Sequence, residues 1–392
     1  MKKNNLDTNL PAVVAAEAPA EVKPIPKYTP TTPEDYNDSY YHLGKDIEAN
    51  PDAIIYVIWS RRGPGKTYSA LRYAWLHDIV TMYIRRTNDD IQTICNYRGD
   101  IKDDPSPWAP LNRDMGLNVK PFQLDTGRAV FVECDEAGKP ITGSVVDHLV
   151  SLNQGKKVKS LNFDAVDWII LDEFIPRPGE VVKRQEGRMV LDLYESVKRD
   201  RMKRGRQPLK LILMANAEEI STPITNTLEV TDTMAEMQMR GIDEYYDEKR
   251  KIYFHHLSEN DYPMSEAEKQ DMFIVMAGTE WAATAYGGEF GYNDFSNVVK
   301  LPIKNMRCMY QIKFRRQREG FVYLNRQTGM WYMSSIKGQP MKVYDLNREN
   351  DQKRFYFEKV LDLREACIND RMKFEKYSYY DLIVNYKKFY EL

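Results

Sequence analysis

Residues 54–77 constrain the fold most strongly, because an apolar run, a glycine-rich turn and a helical pattern follow one another directly. Residues 54–59 read IIYVIW, a continuous apolar run typical of a strand buried on both faces of a sheet. The turn SRRGPGKT follows at 60–67, and residues 66–77 then carry apolar side chains at helical spacing. A strand that leads through a tight turn into a helix predicts a parallel sheet covered by helices.

The same alternation continues to about residue 235. Strand-like apolar runs lie at 81–84, 166–171 and 209–214, and two runs flank a TGR turn in a predicted hairpin at 121–134. Helical patterns separate them. The sequence therefore predicts an α/β fold with a parallel sheet covered by helices, and a smaller α+β domain behind it.

The turn at 60–67 matches the end of the phosphate-binding pattern G-x-x-x-x-G-K-[ST], although Ser60 stands where the pattern begins with glycine. In this pattern backbone N–H groups surround the phosphates at a helix N-terminus, the lysine reaches the β- and γ-phosphates, and the hydroxyl contacts Mg²⁺. The position between a strand and a helix is the context that the motif requires. The predicted ATP-binding residues are Ser60, Arg61, Arg62, Gly63, Pro64, Gly65, Lys66 and Thr67.

A second motif, WIILDEF at 168–174, places two acids directly after four apolar residues. Asp172 is the predicted Mg²⁺ ligand together with Thr67, and Glu173 is the predicted general base that activates water. The alternative is a core strand that ends in solvated acids. Because both motifs occur in one chain, we favour the nucleotide site, and the Asp-Glu pair favours an ATPase motor over a small-molecule kinase.

Two further segments could complete such a site. The charged run VKRDRMKRGR at 197–206 contains Arg199 and Arg201, either of which could reach the γ-phosphate of a neighbouring subunit as an arginine finger. A solvated helix face is the simpler interpretation of that run. Asn216 lies at the end of the apolar strand at 209–214 and could sense the γ-phosphate. An asparagine at this place also suits a turn.

The composition limits the partners. The chain has 392 residues with 56 basic and 58 acidic side chains, so a nucleic-acid surface has to be local. Two basic segments are candidates, with an exposed basic turn as the alternative for the second: Lys156, Lys157 and Lys159, and then Lys313, Arg315, Arg316 and Arg318. The four cysteines form no CxxC pair, and no apolar run reaches the length of a membrane span, so we expect a soluble, intracellular protein.

The predicted domain boundaries follow the changes in residue composition and hydrophobic pattern along the chain. Residues 1–33 read as a flexible tail, 34–235 as the ATPase domain, 236–300 as a helical linker, and 301–392 as a C-terminal domain with a three-stranded meander. The meander strands carry no acidic side chain, and a two-metal nuclease needs clustered carboxylates, so we expect no nuclease activity from this domain.

The ordered motifs RGPGKT, MYIRR, WIILDEF, VKRDR and MANA resemble those of the DNA encapsidation ATPases of φ29-like podoviruses, which are terminase-like. The resemblance covers roughly residues 50–225. It implies a homomeric, pentameric ring that docks on the portal (connector) of a viral procapsid in the host cytoplasm and pumps double-stranded DNA inward with ATP and Mg²⁺. A packaging RNA is a further implied partner. The resemblance also implies that Arg199 is the finger and that residues 34–235 form a P-loop NTPase domain with a RecA-like, additional-strand sheet. In large terminases the C-terminal domain is a ribonuclease-H-like nuclease, so the resemblance implies a degenerate ribonuclease-H-like fold for residues 301–392, which would bind nucleic acid or the portal and have no nuclease site.

Two other function classes stay open at this point. One is a different P-loop enzyme, such as a helicase or a nucleotide kinase. The other is a non-catalytic portal adaptor with a degenerate loop, which the serine at position 60 motivates.

Overall fold

The computed structural model of the chain describes residues 40–99, 103–154, 163–177, 179–265, 269–270, 272–291, 293–315 and 318–390. The predicted N-terminal tail lies outside these residues. Two compact units divide the chain. The first comprises the described residues up to Ile175, Arg188–Ala217 and Asp243–Glu289, and the second those of Pro176–Gly187, Glu218–Ile242 and Phe290–Leu392.

Fourteen strands lie in the described part of the chain. They are β1 (Ile55–Ser60), β2 (Thr81–Arg85), β3 (Val119–Asp125), β4 (Arg128–Cys134), β5 (Pro140–Ser151), β6 (Trp168–Asp172), β7 (Lys210–Asn216), β8 (Glu244–Asp247), β9 (Ile252–Leu257), β10 (Arg307–Phe314), β11 (Arg318–Leu324), β12 (Trp331–Ser334), β13 (Lys342–Asp345) and β14 (Met372–Phe374).

The helices cover the sheets and connect the strands. The α-helices are Leu43–Ala49, Lys66–Leu76, Asn88–Asn96, Ala109–Met115, Glu186–Lys198, Pro223–Thr227, Thr231–Arg240, Met272–Val275, Glu280–Gly287, Glu349–Phe355, Leu361–Ile368, Tyr377–Val384 and Tyr386–Phe389. Short 3₁₀ turns span Leu152–Gln154 and Met202–Arg204, and Tyr356–Val360 is π-helical.

The first unit contains a nine-stranded sheet in the order β3-β4-β5-β2-β6-β7-β1-β9-β8. The six strands from β5 to β9 in this order pair in parallel, and antiparallel strands complete both edges. The central strand β1 is buried over most of its length because it pairs with β7 on one side and β9 on the other. The apolar run that the sequence shows is therefore the interior of the sheet.

The order of the central strands places β7 between β1, which leads into the glycine-rich turn, and β6, which ends in the two acids. This is the additional-strand arrangement predicted from the sequence, so the prediction of an α/β fold with a parallel-rich sheet is confirmed. Because β1, β6 and β7 are parallel, their carboxyl ends meet at one edge of the sheet. That edge brings together residues that are far apart in sequence.

The predicted helical linker is wrong for residues 244–257. These residues form β8 and β9, and β9 pairs with β1 along its whole length from Ile252 to Leu257. The charged segment before them looked helical because Thr231–Arg240 is indeed a helix. The compact units also differ from the predicted boundaries, since residues 218–242 pack with the C-terminal residues.

The second unit contains a five-stranded sheet in the order β13-β10-β11-β12-β14. Strands β10, β11 and β12 form the predicted antiparallel meander, and β13 and β14 pair in parallel with its two outer strands. Its core is rich in aromatic side chains, among them Phe314, Tyr344 and Phe374, which are buried. The unit is thus a mixed sheet with the helices of the C-terminal residues packed on it.

Candidate nucleotide-binding site

The glycine-rich turn at the carboxyl end of β1 has the backbone that its sequence calls for. Gly63 and Gly65 have φ angles of 103° and 87°, in the left-handed region that favours glycine. Gly65 is the N-cap of the helix Lys66–Leu76. The turn therefore points the first N–H groups of a helix, with their partial positive charge, toward the cleft described below.

Lys66 is buried, and its ammonium group lies among neutral acceptors. Its Nζ donates to Ser60 Oγ at 2.5 Å, to the Arg61 carbonyl at 3.1 Å and to Asn216 Oδ1 at 3.2 Å. Burial lowers the pKa of Lys66 to about 8 from its ordinary value of 10.5. The serine that replaces the expected glycine is thus a hydrogen-bond acceptor for the lysine, and it leaves the turn intact.

The two predicted Mg²⁺ ligands meet across the carboxyl edge of the sheet. Thr67 Oγ1 donates to Asp172 Oδ2 at 2.6 Å, and the hydroxyl of Tyr83 on β2 donates to the same oxygen at 2.7 Å. A hydroxyl and a carboxylate at the base of a phosphate loop are the protein ligands with which Mg²⁺ and nucleotide phosphates are usually held. The donor set fits a Mg²⁺–nucleotide complex.

Glu173 follows β6 with a φ of 58°, an uncommon conformation for a residue other than glycine. Its N–H donates to Asp172 Oδ1 at 3.0 Å, and the guanidinium of Arg86 donates to its carbonyl at 3.0 Å. These bonds hold a left-handed turn that would otherwise cost about 1 kcal/mol or more. The Glu173 carboxylate lies 3.9 Å from the guanidinium of Arg85.

These groups surround a cleft of about 470 Å³ in the first unit. Its lining residues are Arg62, Gly63, Gly65, Lys66, Thr67, Tyr68, Tyr83, Arg85, Pro105, Pro107, Pro110, Asp172, Glu173, Ala215 and Asn216. Most of the predicted nucleotide residues are in this set, and so are both acids and the strand-end asparagine. Ser60 and Pro64 belong to the turn but do not line the cleft. The volume is within the range of small-molecule sites.

The side chain of Arg61 does not line the cleft. It is buried, and its guanidinium donates to the carbonyls of Arg62 and Tyr262 and pairs with Glu259 at 3.3 Å. The predicted contact between this side chain and a nucleotide is therefore replaced by internal contacts, of which those with Tyr262 and Glu259 are to the segment that follows β9.

Sequence reasoning missed the contribution of β2 and of a proline-rich loop. Tyr83 and Arg85 on β2 line the cleft, as do three prolines between residues 105 and 110. Among the described residues, the buried Nε of Arg85 has no hydrogen-bond partner. The signal in the sequence was the pair of arginines that directly follows a buried strand.

The two candidate finger residues have different environments. Arg201 is buried and donates to the Val166 and Gln207 carbonyls and to Asp167 Oδ1. Its role as a finger is thus contradicted, because its guanidinium is committed to the start of β6. Arg199, two residues earlier, is exposed and has a φ of 29°. Arg201 thus lies at the amino edge of the sheet, opposite to the edge that carries the cleft, and Arg199 is two residues away from it in the chain.

The basic hairpin of the second unit is largely committed to internal contacts. Arg315 donates to Asn226 Oδ1 at 2.9 Å and lies over the Phe389 ring, and burial lowers its pKa. Arg318 pairs with Glu229 at 3.1 Å and with Asp232 at 3.6 Å. The prediction that these two arginines bind nucleic acid is wrong for this arrangement, because both hold the segment Glu218–Ile242.

The remaining basic candidates divide into two groups. Lys313 on β10 is exposed. The side chains predicted to contact DNA in the loop after β5, and one in the hairpin, lie outside the described residues: Lys156, Lys157, Lys159 and Arg316.

No group of three or more His, Cys, Asp or Glu side chains in the described part of the chain is arranged to hold a metal ion. No helix within the same residues has the length and apolar character needed to cross a bilayer.

Comparison with known proteins gives matches among solved structures only; no protein-family model and no curated protein matches the chain. A chain of the bacteriophage Phi-29 viral genome packaging motor assembly is 17% identical with a TM-score of 0.57, and the match covers 89% of this chain and 99% of that chain. The Phi-28 gp11 DNA packaging motor is 15% identical with a TM-score of 0.53, and covers 91% of this chain and 99% of its own. The resemblance inferred from the motifs is thereby confirmed in three dimensions: this chain has the fold of the phage DNA packaging motors of Phi-29 and Phi-28.

Proposed function

We propose that the chain is a Mg²⁺-dependent ATPase that drives double-stranded DNA into a viral procapsid. One observation carries the proposal: the 2.6 Å contact between Thr67 and Asp172 joins the phosphate loop to the acidic strand end beside Lys66. Two motifs separated by about a hundred residues thus form one cleft. The fold shared with phage packaging motors supports DNA as the load, and a homomeric, pentameric ring at the portal vertex in the host cytoplasm as the assembly.

In this proposal each group of the cleft has one task. Lys66 and the N–H groups at the start of the helix bind the β- and γ-phosphates, and Thr67 and Asp172 hold Mg²⁺, which neutralises charge on the phosphate oxygens. Glu173 accepts the proton of the attacking water. Asn216, which contacts Lys66, is the residue placed to sense the γ-phosphate.

Arg199 is the finger in our proposal, and it acts on the cleft of a neighbouring subunit. Its position two residues from Arg201, which lies at the sheet edge opposite to the cleft, supports this role, since a side chain there is too remote to serve its own nucleotide. The group would stabilise negative charge that develops on the transferred phosphoryl oxygens.

DNA contact in this proposal uses phosphates rather than bases, because a packaging motor has to move every sequence. Lys313 and the basic loop after β5 are the candidates that remain. A packaging RNA would be recognised by the same phosphate chemistry, so it stays a second nucleic-acid partner.

Complementation between two inactive variants tests the proposed ring site. Arg199→Ala and Glu173→Gln should each lose most of the DNA-stimulated ATP turnover when alone. Mixed in equal amounts they should recover part of it, because an Arg199→Ala subunit with an intact cleft can receive the finger of a Glu173→Gln neighbour. Lys203→Ala, an exposed residue of the same turn, is the matched control and should keep its activity. A mixture no more active than its parts would contradict the role in trans.

A further inference from the structure

Three residues of the first unit that follow β9 contact the phosphate loop at Ser60 and Arg61. They are Glu259, Tyr262 and Gly288, and we call them the backing layer. Gly288, at the C-terminal end of the helix Glu280–Gly287, lies directly against the peptide between Ser60 and Arg61. A Cβ at this glycine would stand 2.6 Å from the Arg61 backbone nitrogen and 3.2 Å from the Ser60 carbonyl carbon. Real Cβ atoms do not approach backbone this closely, so only glycine fits here.

Gly288 is held in this place by a chain of contacts. Its φ of 67° ends the helix in the left-handed conformation. Its carbonyl accepts a hydrogen bond from His256 Nε2 at 3.0 Å. The His256 ring stacks on Trp59, the residue before the turn, with ring centres 5.5 Å apart, and its Nδ1 faces Asp243 at 3.3 Å. Trp59 of β1 and His256 of β9 therefore hold Gly288 in place together.

Arg61 forms a second set of contacts between the backing layer and the phosphate loop. Its buried guanidinium donates to the Tyr262 carbonyl at 3.3 Å and pairs with Glu259 at 3.3 Å. Both partners follow β9 within five residues of Leu257, where that strand ends. Gly288 and the contacts of Arg61 therefore act on one peptide, and none of these residues lines the cleft.

That peptide also carries the acceptors of the phosphate-binding lysine. Lys66 Nζ donates to Ser60 Oγ and to the Arg61 carbonyl. A displacement of the Ser60–Arg61 peptide by a few tenths of an ångström would move these acceptors and, with them, the ammonium group. The described contacts of Asp172 are with Thr67, Tyr83 and the Glu173 N–H and not with the backing layer, so we expect the position of this carboxylate to change less.

We propose that Gly288 and Arg61 are positioning residues for nucleotide binding, and that the helix end at Gly288 sets the conformation of the phosphate loop from behind. The proposal rests on the proposed function, since it assigns the part of the chain that tunes ATP affinity at that site. It predicts an effect on KM and on nucleotide affinity, with the chemical step at Glu173 largely unchanged.

Two glycine variants of the full chain test this inference. Gly288→Ala should raise the Kd of a fluorescent ATP analogue and the KM for ATP about tenfold, because the added methyl displaces the loop backbone, with kcat within about threefold of wild type. Gly278→Ala is the matched control: Gly278 lies in the same segment and has a φ of 79°, but no atom of the described residues lies within 4 Å of its Cβ position. It carries the same backbone strain and should leave KM unchanged.

Equal KM values for the two alanine variants would overturn the inference. If Gly288→Ala does not fold, Glu259→Gln decides the matter: loss of the Arg61 ion pair should raise KM severalfold at unchanged kcat, and an unchanged KM would overturn the inference. A wild-type chain that binds no ATP would overturn the proposed function itself, and this inference with it.

Discussion

The phosphate loop of the first unit and the basic hairpin of the second both carry clustered basic residues, yet their side chains have opposite kinds of partner. Lys66 is surrounded by neutral acceptors and faces a cleft. Arg318 of the hairpin pairs with two carboxylates of its own unit, and Arg315 lies between an amide and an aromatic ring. Lys66 faces a cleft in which a phosphate can approach it, whereas the contacts of Arg318 and Arg315 are already made within their own unit.

The comparison shows that a cluster of basic residues indicates a phosphate site only where their spacing matches a phosphate-binding motif. The loop lysine was identified because the spacing of glycine, lysine and threonine is itself the chemical requirement of phosphate binding. The hairpin arginines were counted as a nucleic-acid patch only because they are basic. Their partners lie 89 residues away in sequence, and no local pattern reveals them.

Replacement of Lys66 should give the largest difference between the effect on ATP turnover and the effect on the free energy of unfolding. Lys66→Ala should lower ATP turnover by about 10²–10³-fold, as the loss of a preorganised charge at a transferring phosphoryl group does. Because burial lowers the pKa of Lys66 to about 8, folding opposes its charge, and the free energy of unfolding should not fall. Steady-state kinetics and urea unfolding measure the two effects. A variant with lower stability and full turnover would break the comparison.

A buried acid beside the cleft extends the comparison to pH. Asp147 on β5 is fully buried and accepts hydrogen bonds from the Tyr83 N–H and from Trp108 Nε1, and burial raises its pKa to about 7. A raised carboxyl pKa contributes stability below the unfolded value near 4, which is lost as pH rises through about 7. Asp147→Asn should therefore gain stability relative to wild type across this window, by on the order of 4 kcal/mol at most.

The neighbouring His148 requires that the two proteins be compared at each pH. Burial lowers the pKa of His148 to about 4, so it destabilises the fold as pH falls below about 6.5 in both proteins alike. Urea unfolding at several pH values between 4 and 8 measures the difference between Asp147→Asn and wild type. A difference that does not change with pH would contradict the assignment.

The hairpin arginine should show the reverse of the lysine result. Arg315→Ala should lower the stability of the second unit by about 1.5–3 kcal/mol, because a charged hydrogen bond to Asn226 and a contact with Phe389 are lost. The KM for ATP should stay as in wild type. Lys337→Ala, an exposed residue of the same unit, is the control and should change neither quantity. An Arg315→Ala variant with wild-type stability and weaker DNA binding would restore the nucleic-acid role.

Lys313 should give the smallest effect. It is exposed on β10, and if it contacts a DNA phosphate, Lys313→Ala should weaken binding to all sequences equally and reduce the slope of log affinity against log salt by about 1. Fluorescence anisotropy with duplexes of two unrelated sequences, at several salt concentrations, measures this slope. An unchanged slope would show that Lys313, the last candidate among the described residues of the hairpin, does not contact a DNA phosphate.

Local patterns predicted a large part of the fold and of the site. The strand that became β1, the turn after it and the acids after β6 follow from hydrophobic runs and motif spacing. The same reasoning failed for residues 244–257, because β9 is held by pairing with β1, and β8 by pairing with β9, rather than by a local alternation of their own. Arg201 was misassigned for a similar reason: Asp167, its partner, lies 34 residues away.

ATP turnover by Glu173→Gln tests the central claim most directly, that the loop and the strand-end acids form one hydrolytic site. The substitution keeps the size of the side chain and removes the base. The account predicts that the variant binds an ATP analogue as tightly as wild type while Mg²⁺-dependent hydrolysis falls by about 10²–10⁴-fold. Wild-type turnover by this variant would contradict the account.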